Sequence, residues 1–175
     1  TVGSAATNDV RHENASPTQP SCRVKSITKD AAGNLSVVAS QDVNIDWTPP
    51  STPMVIDGTS NDIDTTYSLT QLAANWSTCI DTNSAIIKYW YSIGTTAGAT
   101  DVVNWTSANL NTAITHTGLA LTNNQLYFIN VKSEDGAGLQ SSISSSDGQL
   151  VVIPTSISDL ASVFQLSVYT NPFTE

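Results

Sequence analysis

Asp57, Asp62 and Asp64 crowd one stretch, IDGTSNDIDTT, whose glycine and asparagine supply turns between the carboxylates. Hard oxygen ligands at that density suit calcium, which takes about six to eight of them. The stretch has neither the closing glutamate nor the spacing of an EF-hand, so a solvated turn held by Asx hydrogen bonds is the competing reading. Asp81 with Ser84, and Glu134 with Asp135, read as turn residues on the same reasoning. Trp90 and Trp105 would make a flat platform for a carbohydrate if their rings lay exposed among polar neighbours; packing within or between sheets is the commoner fate of a strand tryptophan. His12 and His116 adjoin no nucleophile pattern, and neither G-x-S-x-G nor a block of paired carboxylates occurs, so the chain reads as non-enzymatic. Cys22 and Cys79 are its two cysteines. They fall in what read as different domains, without a C-x-x-C or a Cys/His set, which argues against zinc and leaves a disulfide unforced. Calcium is the one cofactor these residue types admit.

Bulk properties narrow the partners. At 175 residues there is room for one large or two small domains, and 39% hydrophobic residues suffice for an ordinary core. Only 12% of residues are charged, with Ser, Thr, Asn and Ala filling the difference, a composition that suits an extracellular β-protein. A formal charge of -9 opposes contact with phosphate backbones, which removes nucleic acid from the partners. No run approaches the ~18 apolar residues of a membrane span. The opening TVGSAATNDV lacks the charged and apolar regions of a signal peptide, so any secretion address is expected elsewhere.

The elements that must position these residues are set by period-two alternation. In residues 118–138, GLALTNNQLYFINVKSEDGAG, Tyr127, Ile129 and Val131 alternate with Phe128, Asn130 and Lys132, the period of a half-buried strand. Leu119 and Leu121, an Asn-Asn turn and then Tyr127 make the pattern of a tyrosine corner, in which a buried phenol bonds backbone just upstream and pins the crossover between two sheets. Asp135-Gly136 and Gly138 turn the chain into a last strand between Leu139 and Ile153, with a break at Asp147-Gly148. Upstream, residues 54–56 read as a first strand, and Leu72, Ala74 and Trp76 as one face of a second. Residues 85–93 make a third, with Ile87, Tyr89, Tyr91 and Ile93 on one side and Ile86, Lys88 and Trp90 on the other. Val102, Val103 and Trp105 suggest a fourth, and residues 114–117 a fifth. No stretch shows a helical period.

Residues 47–53, WTPPSTP, form a proline linker that ends one domain and spaces the next semi-rigidly. The residues before this linker repeat part of the pattern found after it. Thr1-Val2-Gly3-Ser4 matches Ser92-Ile93-Gly94-Thr95, and Asp9-Val10 matches Asp101-Val102. Arg23-Val24-Lys25-Ser26 matches Asn130-Val131-Lys132-Ser133, and Ala32-Gly33 matches Ala137-Gly138. This alignment sets Pro20 or Ser21 where a tyrosine corner needs Tyr. Residues 1–48 are therefore expected to be the C-terminal part of one β-sandwich, 49–154 a complete second, and 155–175 a linker leading onward, the whole being a piece of a longer chain whose neighbouring domains are its first partners.

LAANW, KYWYSIGTTAGATDVVNWT, TGLALTNNQLYF and VKSEDGAG, in that order, make residues 49–154 resemble a fibronectin type III-like repeat found in tandem in large surface proteins of Bacteroidetes. The resemblance implies an all-β fold, a fibronectin type III or immunoglobulin-like antiparallel β-sandwich in tandem, with Trp76 filling the core centre and Tyr127 at the corner as structural residues. It also implies a spacer, adhesive or accessory module without chemistry of its own. Exported proteins of such bacteria are glycosylated at Asp-Ser/Thr-X, which makes Thr65, in Asp64-Thr65-Thr66, a candidate. LSVYTNPF, within residues 155–175, resembles the opening of the C-terminal sorting domain of the type IX secretion system, with Thr170 where that opening usually has Pro. The implied partner is the type IX machinery, and the implied location is extracellular or on the outer cell surface. Two rival readings stay open: a carbohydrate-binding accessory module of an exported hydrolase, for which Trp90 and Trp105 would be exposed and coplanar, and a cargo fragment bound to export machinery.

Overall fold

The computed structural model describes residues 22–43 and 45–154. Its elements are strands alone: β1 (Cys22–Ser26), β2 (Ala39–Val43), β3 (Val55–Asp57), β4 (Thr65–Thr66), β5 (Gln71–Trp76), β6 (Ile86–Gly94), β7 (Val103–Asn109), β8 (Ala113–Thr117), β9 (Leu126–Asp135), β10 (Ser144–Ser145) and β11 (Gln149–Val151). β1 and β2 pair as an antiparallel hairpin of their own. After the linker, one sheet has the order β3-β5-β8 and the other β4-β11-β9-β6-β7, with β10 also on β9. All pairs are antiparallel except β4 with β11, which is parallel. The chain changes sheet between β3 and β4, β4 and β5, β5 and β6, β7 and β8, and β8 and β9. That order makes residues after the linker a fibronectin type III or immunoglobulin-like antiparallel β-sandwich.

Alternation places the core between the sheets. Tyr127, Ile129 and Val131 of β9 and Tyr89, Tyr91 and Ile93 of β6 face Leu72, Ala74 and Trp76 of β5, and all are buried in one cluster with Val55, Leu119, Leu121 and Val151. Each large apolar side chain so buried contributes about 1.5–3 kcal/mol relative to exposure. The third strand departs from its expected faces. Ile86 opposes Asp135 while Lys88 opposes Glu134, so β6 carries one more residue than β9 at that point. The bulge turns over the residues before it. Ile86 packs against the core, and Ile87, expected beside Tyr89, is 46% exposed.

The last strand is interrupted where the turn residues stand. β10 and β11 both lie along β9, parted at residues 146–148. Gly148 has φ of 110°, and a Cβ there would meet Leu126 Cγ at 3.0 Å and Phe128 Cε1 at 3.1 Å. A side chain at 148 would both strain the backbone and push β11 off β9.

The hairpin before the linker repeats the backbone bonds and two side-chain bonds of a turn of the sandwich. Asp30 N–H donates to Asn34 O and Gly33 N–H to Asp30 O, as Asp135 N–H does to Leu139 O and Gly138 N–H to Asp135 O. Asp30 Oδ1 accepts from Asn34 N–H as Asp135 Oδ1 accepts from Leu139 N–H. Ser36 Oγ accepts from Thr28 N–H as Ser141 Oγ accepts from Ser133 N–H. Every partner is shifted by 105 residues, the distance from Asp30 to Asp135, and the pairing keeps the shift, since Ser26 opposite Ala39 corresponds to Val131 opposite Ser144. The match of Ala32-Gly33 with Ala137-Gly138 has that offset. The match of Arg23-Val24-Lys25-Ser26 with Asn130-Val131-Lys132-Ser133 is two residues out, because like letters do not define register and ladder bonds do. In the structural register Cys22, and neither Pro20 nor Ser21, takes the place of Tyr127.

Candidate functional site

The expected calcium residues are partly brought together. Asp57 ends β3 and is fully buried; its Oδ2 accepts from Gly148 N–H at 3.0 Å, while Oδ1 is buried without a hydrogen-bond partner. Asp62 Oδ1 accepts from Asp57 N–H at 3.2 Å. Asp57, Asp62 and Asp147 each offer a carboxylate oxygen within 4.8 Å of the others. Asp147, from the turn between β10 and β11, stands where Asp64 was expected. Asp64 is exposed and leads into β4, its carbonyl accepting from Leu150 N–H at 2.8 Å. Pairing of β4 with β11 carries its carboxylate away from the group. Burial pushes Asp57 up to about 6, with the charges of Asp147 and Asp62 adding to the rise and bonds from Ser146 and Gly148 opposing it.

A second acidic group joins Asp81 and Asp135, which read as simple turn residues, to Asp46. Asp46 immediately precedes the linker, Asp81 lies between β5 and β6, and Asp135 at the end of β9, and each offers a carboxylate oxygen within 4.8 Å of the others. Asp135 Oδ1 accepts from Ala137 and Leu139 N–H, both at 2.9 Å; Asp81 Oδ1 accepts from Asn83 N–H at 2.8 Å and Ser84 N–H at 2.6 Å. Asp46 Oδ1 accepts from Thr48 N–H at 2.9 Å, and Oδ2 accepts from Ser84 Oγ at 2.6 Å. Asp135 is fully buried and its Oδ2 has no partner. Burial raises the Asp135 carboxyl, the Leu139 and Ala137 amides oppose that rise, and the Asp46 and Asp81 charges reinforce it. Short-range pattern carries no trace of a group drawn from three such distant positions.

Trp90 and Trp105 share the outer face of the larger sheet, both half-buried. Neither ring is bare: Lys88 Nζ lies 5.0 Å from the Trp90 centroid and Lys132 Nζ 4.3 Å from that of Trp105. Trp90 Nε1–H donates to Glu134 Oε2 at 2.7 Å, Gln140 Nε2–H donates to the same oxygen at 2.8 Å, and Lys88 pairs with Glu134 Oε1 at 3.0 Å. Partial burial works to raise Glu134, but the bonds from Gln140, Trp90 and Lys88 together hold it below the usual glutamate range. The result is a ladder of alternating rings and ammonium groups, locked at one end by a carboxylate.

The remaining polar groups serve the frame. Tyr127 Oη accepts from Thr122 N–H at 2.9 Å, and Tyr89 Oη accepts from Cys79 N–H at 2.9 Å. Trp76 is buried 6.0 Å from the Tyr89 ring, its Nε1–H without a partner. Tyr91 Oη and His116 Nδ1, 2.8 Å apart, join the two sheets. Asn130, expected on the outer face of β9, is fully buried under the loop after β6. Its Nδ2 donates to Ala99 O at 2.7 Å and Ser92 Oγ at 3.2 Å; its Oδ1 accepts from Gly98 N–H at 2.7 Å and Ser145 Oγ–H at 2.6 Å. Thr65, the glycosylation candidate, is half-buried and sits opposite Leu150 in the β4–β11 ladder. Cys22 and Cys79 are both free thiols. His12 and the LSVYTNPF stretch lie outside the described residues.

Strand order and register thus define an all-β fibronectin type III or immunoglobulin-like module. No protein-family model matches the chain, and no curated protein matches it. Three solved structures show a distant likeness. The kinase region of twitchin from C. elegans is 19% identical, over 60% of this chain and 17% of that one, with a TM-score of 0.41. A fourth FNIII domain from human is 14% identical, over 74% of this chain and 97% of that one, at 0.46; titin module A71 from human cardiac muscle is 23% identical, over 57% and 88%, at 0.37. At those scores the likenesses add nothing to what strand order establishes.

Proposed function

We propose that the chain is a non-catalytic structural or adhesive segment of a secreted or cell-surface protein, built from successive β-sandwich modules. The observation that carries this reading is the repetition, 105 residues apart, of one turn with its side-chain bonds, from Asp30 and Ser36 to Asp135 and Ser141. An array whose modules meet end to end needs the same turn geometry at each end, and repetition at that level serves geometry before chemistry. On this reading residues 1–48 close one module, 49–154 are the next, and 155–175 lead into a sorting domain. Val24, Leu35, Val37 and Val38 of the first hairpin are 55%, 62%, 91% and 60% exposed, which suits strands whose facing sheet belongs to the preceding module. The weakly charged composition and the LSVYTNPF stretch support export through the type IX system of a Bacteroidetes bacterium. The lysines stacked on Trp90 and Trp105 favour a stiffened sheet over a sugar platform.

An antibody raised against residues 49–154 tests the reading. It is expected to label intact cells of the source organism or their medium, and to lose that signal when the type IX translocon is deleted. Signal that appears only after lysis would overturn the surface assignment. A glycan array probed with the same chain, and with Lys132→Ala to uncover the Trp105 ring, is expected to stay blank; saturable binding would move the module to the carbohydrate-binding class.

A further inference from the structure

We propose that Asp46, Asp81 and Asp135 bind one calcium ion, which ties the segment entering the sandwich to the two turns at that end. Their carboxylate oxygens lie within 4.8 Å of one another, and the ion pairs among the described residues, Arg23–Asp42 and Lys88–Glu134, involve none of them. Oxygens that ligate one calcium at about 2.3–2.6 Å can stand no more than about 5 Å apart, so the spacing fits a shared ion. The second observation is Asp135 Oδ2, an oxygen of a fully buried side chain that no donor satisfies. A buried carboxylate oxygen without a donor, on a group with no counter-charge, is costly, and here two further carboxylates stand close to it.

The turns hold these groups in advance. Each aspartate uses Oδ1 on its own turn's amides: Asp135 on Ala137 and Leu139, Asp81 on Asn83 and Ser84, Asp46 on Thr48. That leaves Asp135 Oδ2 for a metal, while Asp46 Oδ2, which accepts from the Ser84 hydroxyl, keeps a second lone pair for the same ion. Calcium tolerates such an irregular set, completed by water, where magnesium demands a near-ideal octahedron. The Asp57 group is the weaker candidate because Asp62 and Asp147 are exposed and water solvates them.

The ion would act on the linker. Asp46 precedes the prolines, and Thr48 Oγ1 already accepts from Asn83 Nδ2–H at 3.2 Å, while Ser51 Oγ accepts from Ile80 N–H at 2.9 Å. Calcium at Asp46 would extend this docking to the point where the linker leaves the preceding hairpin, stiffening the junction at the millimolar calcium found outside cells. This goes beyond the spacer reading, and its test in purified protein stands or falls apart from where the chain is delivered.

The test is a calorimetric titration of calcium into the full 175-residue chain after chelator treatment, with thermal melts in chelator and in about 10 mM calcium. One ion per chain is expected, with a melting temperature raised by about 5 °C or more and a smaller rise in magnesium. Asp46→Asn, which lies outside the sandwich strands, and Asp81→Asn are each expected to weaken calcium at least about tenfold, while the double variant Asp62→Asn, Asp147→Asn keeps the wild-type response. No calcium-dependent heat or shift in the wild type overturns the proposal. So does a response that survives in Asp46→Asn and Asp81→Asn.

Discussion

The phenol oxygen of Tyr127 accepts the amide hydrogen of Thr122 at 2.9 Å, across a turn that carries the chain from one sheet to the other. The ring is buried between the sheets while its oxygen reaches the backbone of the crossover, so one side chain fixes both the depth of β9 and the path by which it is entered. Tyr89 does the same for the β5–β6 connection through Cys79. Two tyrosines thus tie two inter-sheet turns to the core.

Replacing Tyr127 by Phe keeps the ring and removes the acceptor, leaving the Thr122 amide without its phenol. The sandwich is expected to lose roughly 1–3 kcal/mol, read as a lower midpoint at unchanged slope in denaturant. An unaltered midpoint would show that water replaces the phenol at no cost.

Asn130→Ala is expected to cost a similar amount, roughly 1–3 kcal/mol, by a different route. The amide satisfies Gly98 N–H and Ala99 O beneath the loop that folds over β9. Gly94 lets that loop approach, since a Cβ there would lie 2.6 Å from Ala99 O. Without Asn130 the loop loses its bond at Gly98 and keeps the Ser92 hydroxyl on Ala99 O, so amide exchange at Gly98 should quicken more than exchange in the β5–β8 ladder. Uniform acceleration would mean that the amide supports the whole fold and not the loop.

Asp57 has a folded-state pKa of about 6, above the ~3.9 of an unfolded aspartate. The native state therefore holds a proton that the unfolded chain releases. Its contribution is fully present below the unfolded value and is lost as pH rises through about 6. Asp135, also raised, acts in the same direction. In chelator the chain is expected to melt progressively lower between about pH 4 and 6, and Asp57→Asn to flatten that fall, gaining about 1–3 kcal/mol over wild type above neutrality. Equal slopes in the two proteins would remove Asp57 as the titrating group.

The ring and ammonium ladder predicts coupling between Lys132 and Trp105. A double-mutant cycle with Lys132→Met and Trp105→Leu is expected to return about 0.5–1 kcal/mol of interaction, the size of a partly exposed cation–π contact. Strictly additive losses would reduce the stacking to coincidence.

Much of this architecture is written in local pattern. Alternation at Tyr127, Ile129 and Val131, the leucines before the corner, and the Asp-Gly turns specify strands, their buried faces and the break before Gly148, because side-chain period and backbone freedom act over a few residues. Other features depend on which strands meet. The bulge that exposes Ile87 arises from how β6 is laid against β9, and no alternation within residues 85–93 announces it. Asp147 displaces Asp64 from the Asp57 group because β4 pairs with β11. Asp46, Asp81 and Asp135 converge only once the linker, the β5–β6 turn and the end of β9 are folded to one pole of the sandwich. Propensity and turn chemistry are properties of neighbours in the chain; register and the meeting of distant carboxylates are set by burying one apolar surface against another, which couples residues at any separation.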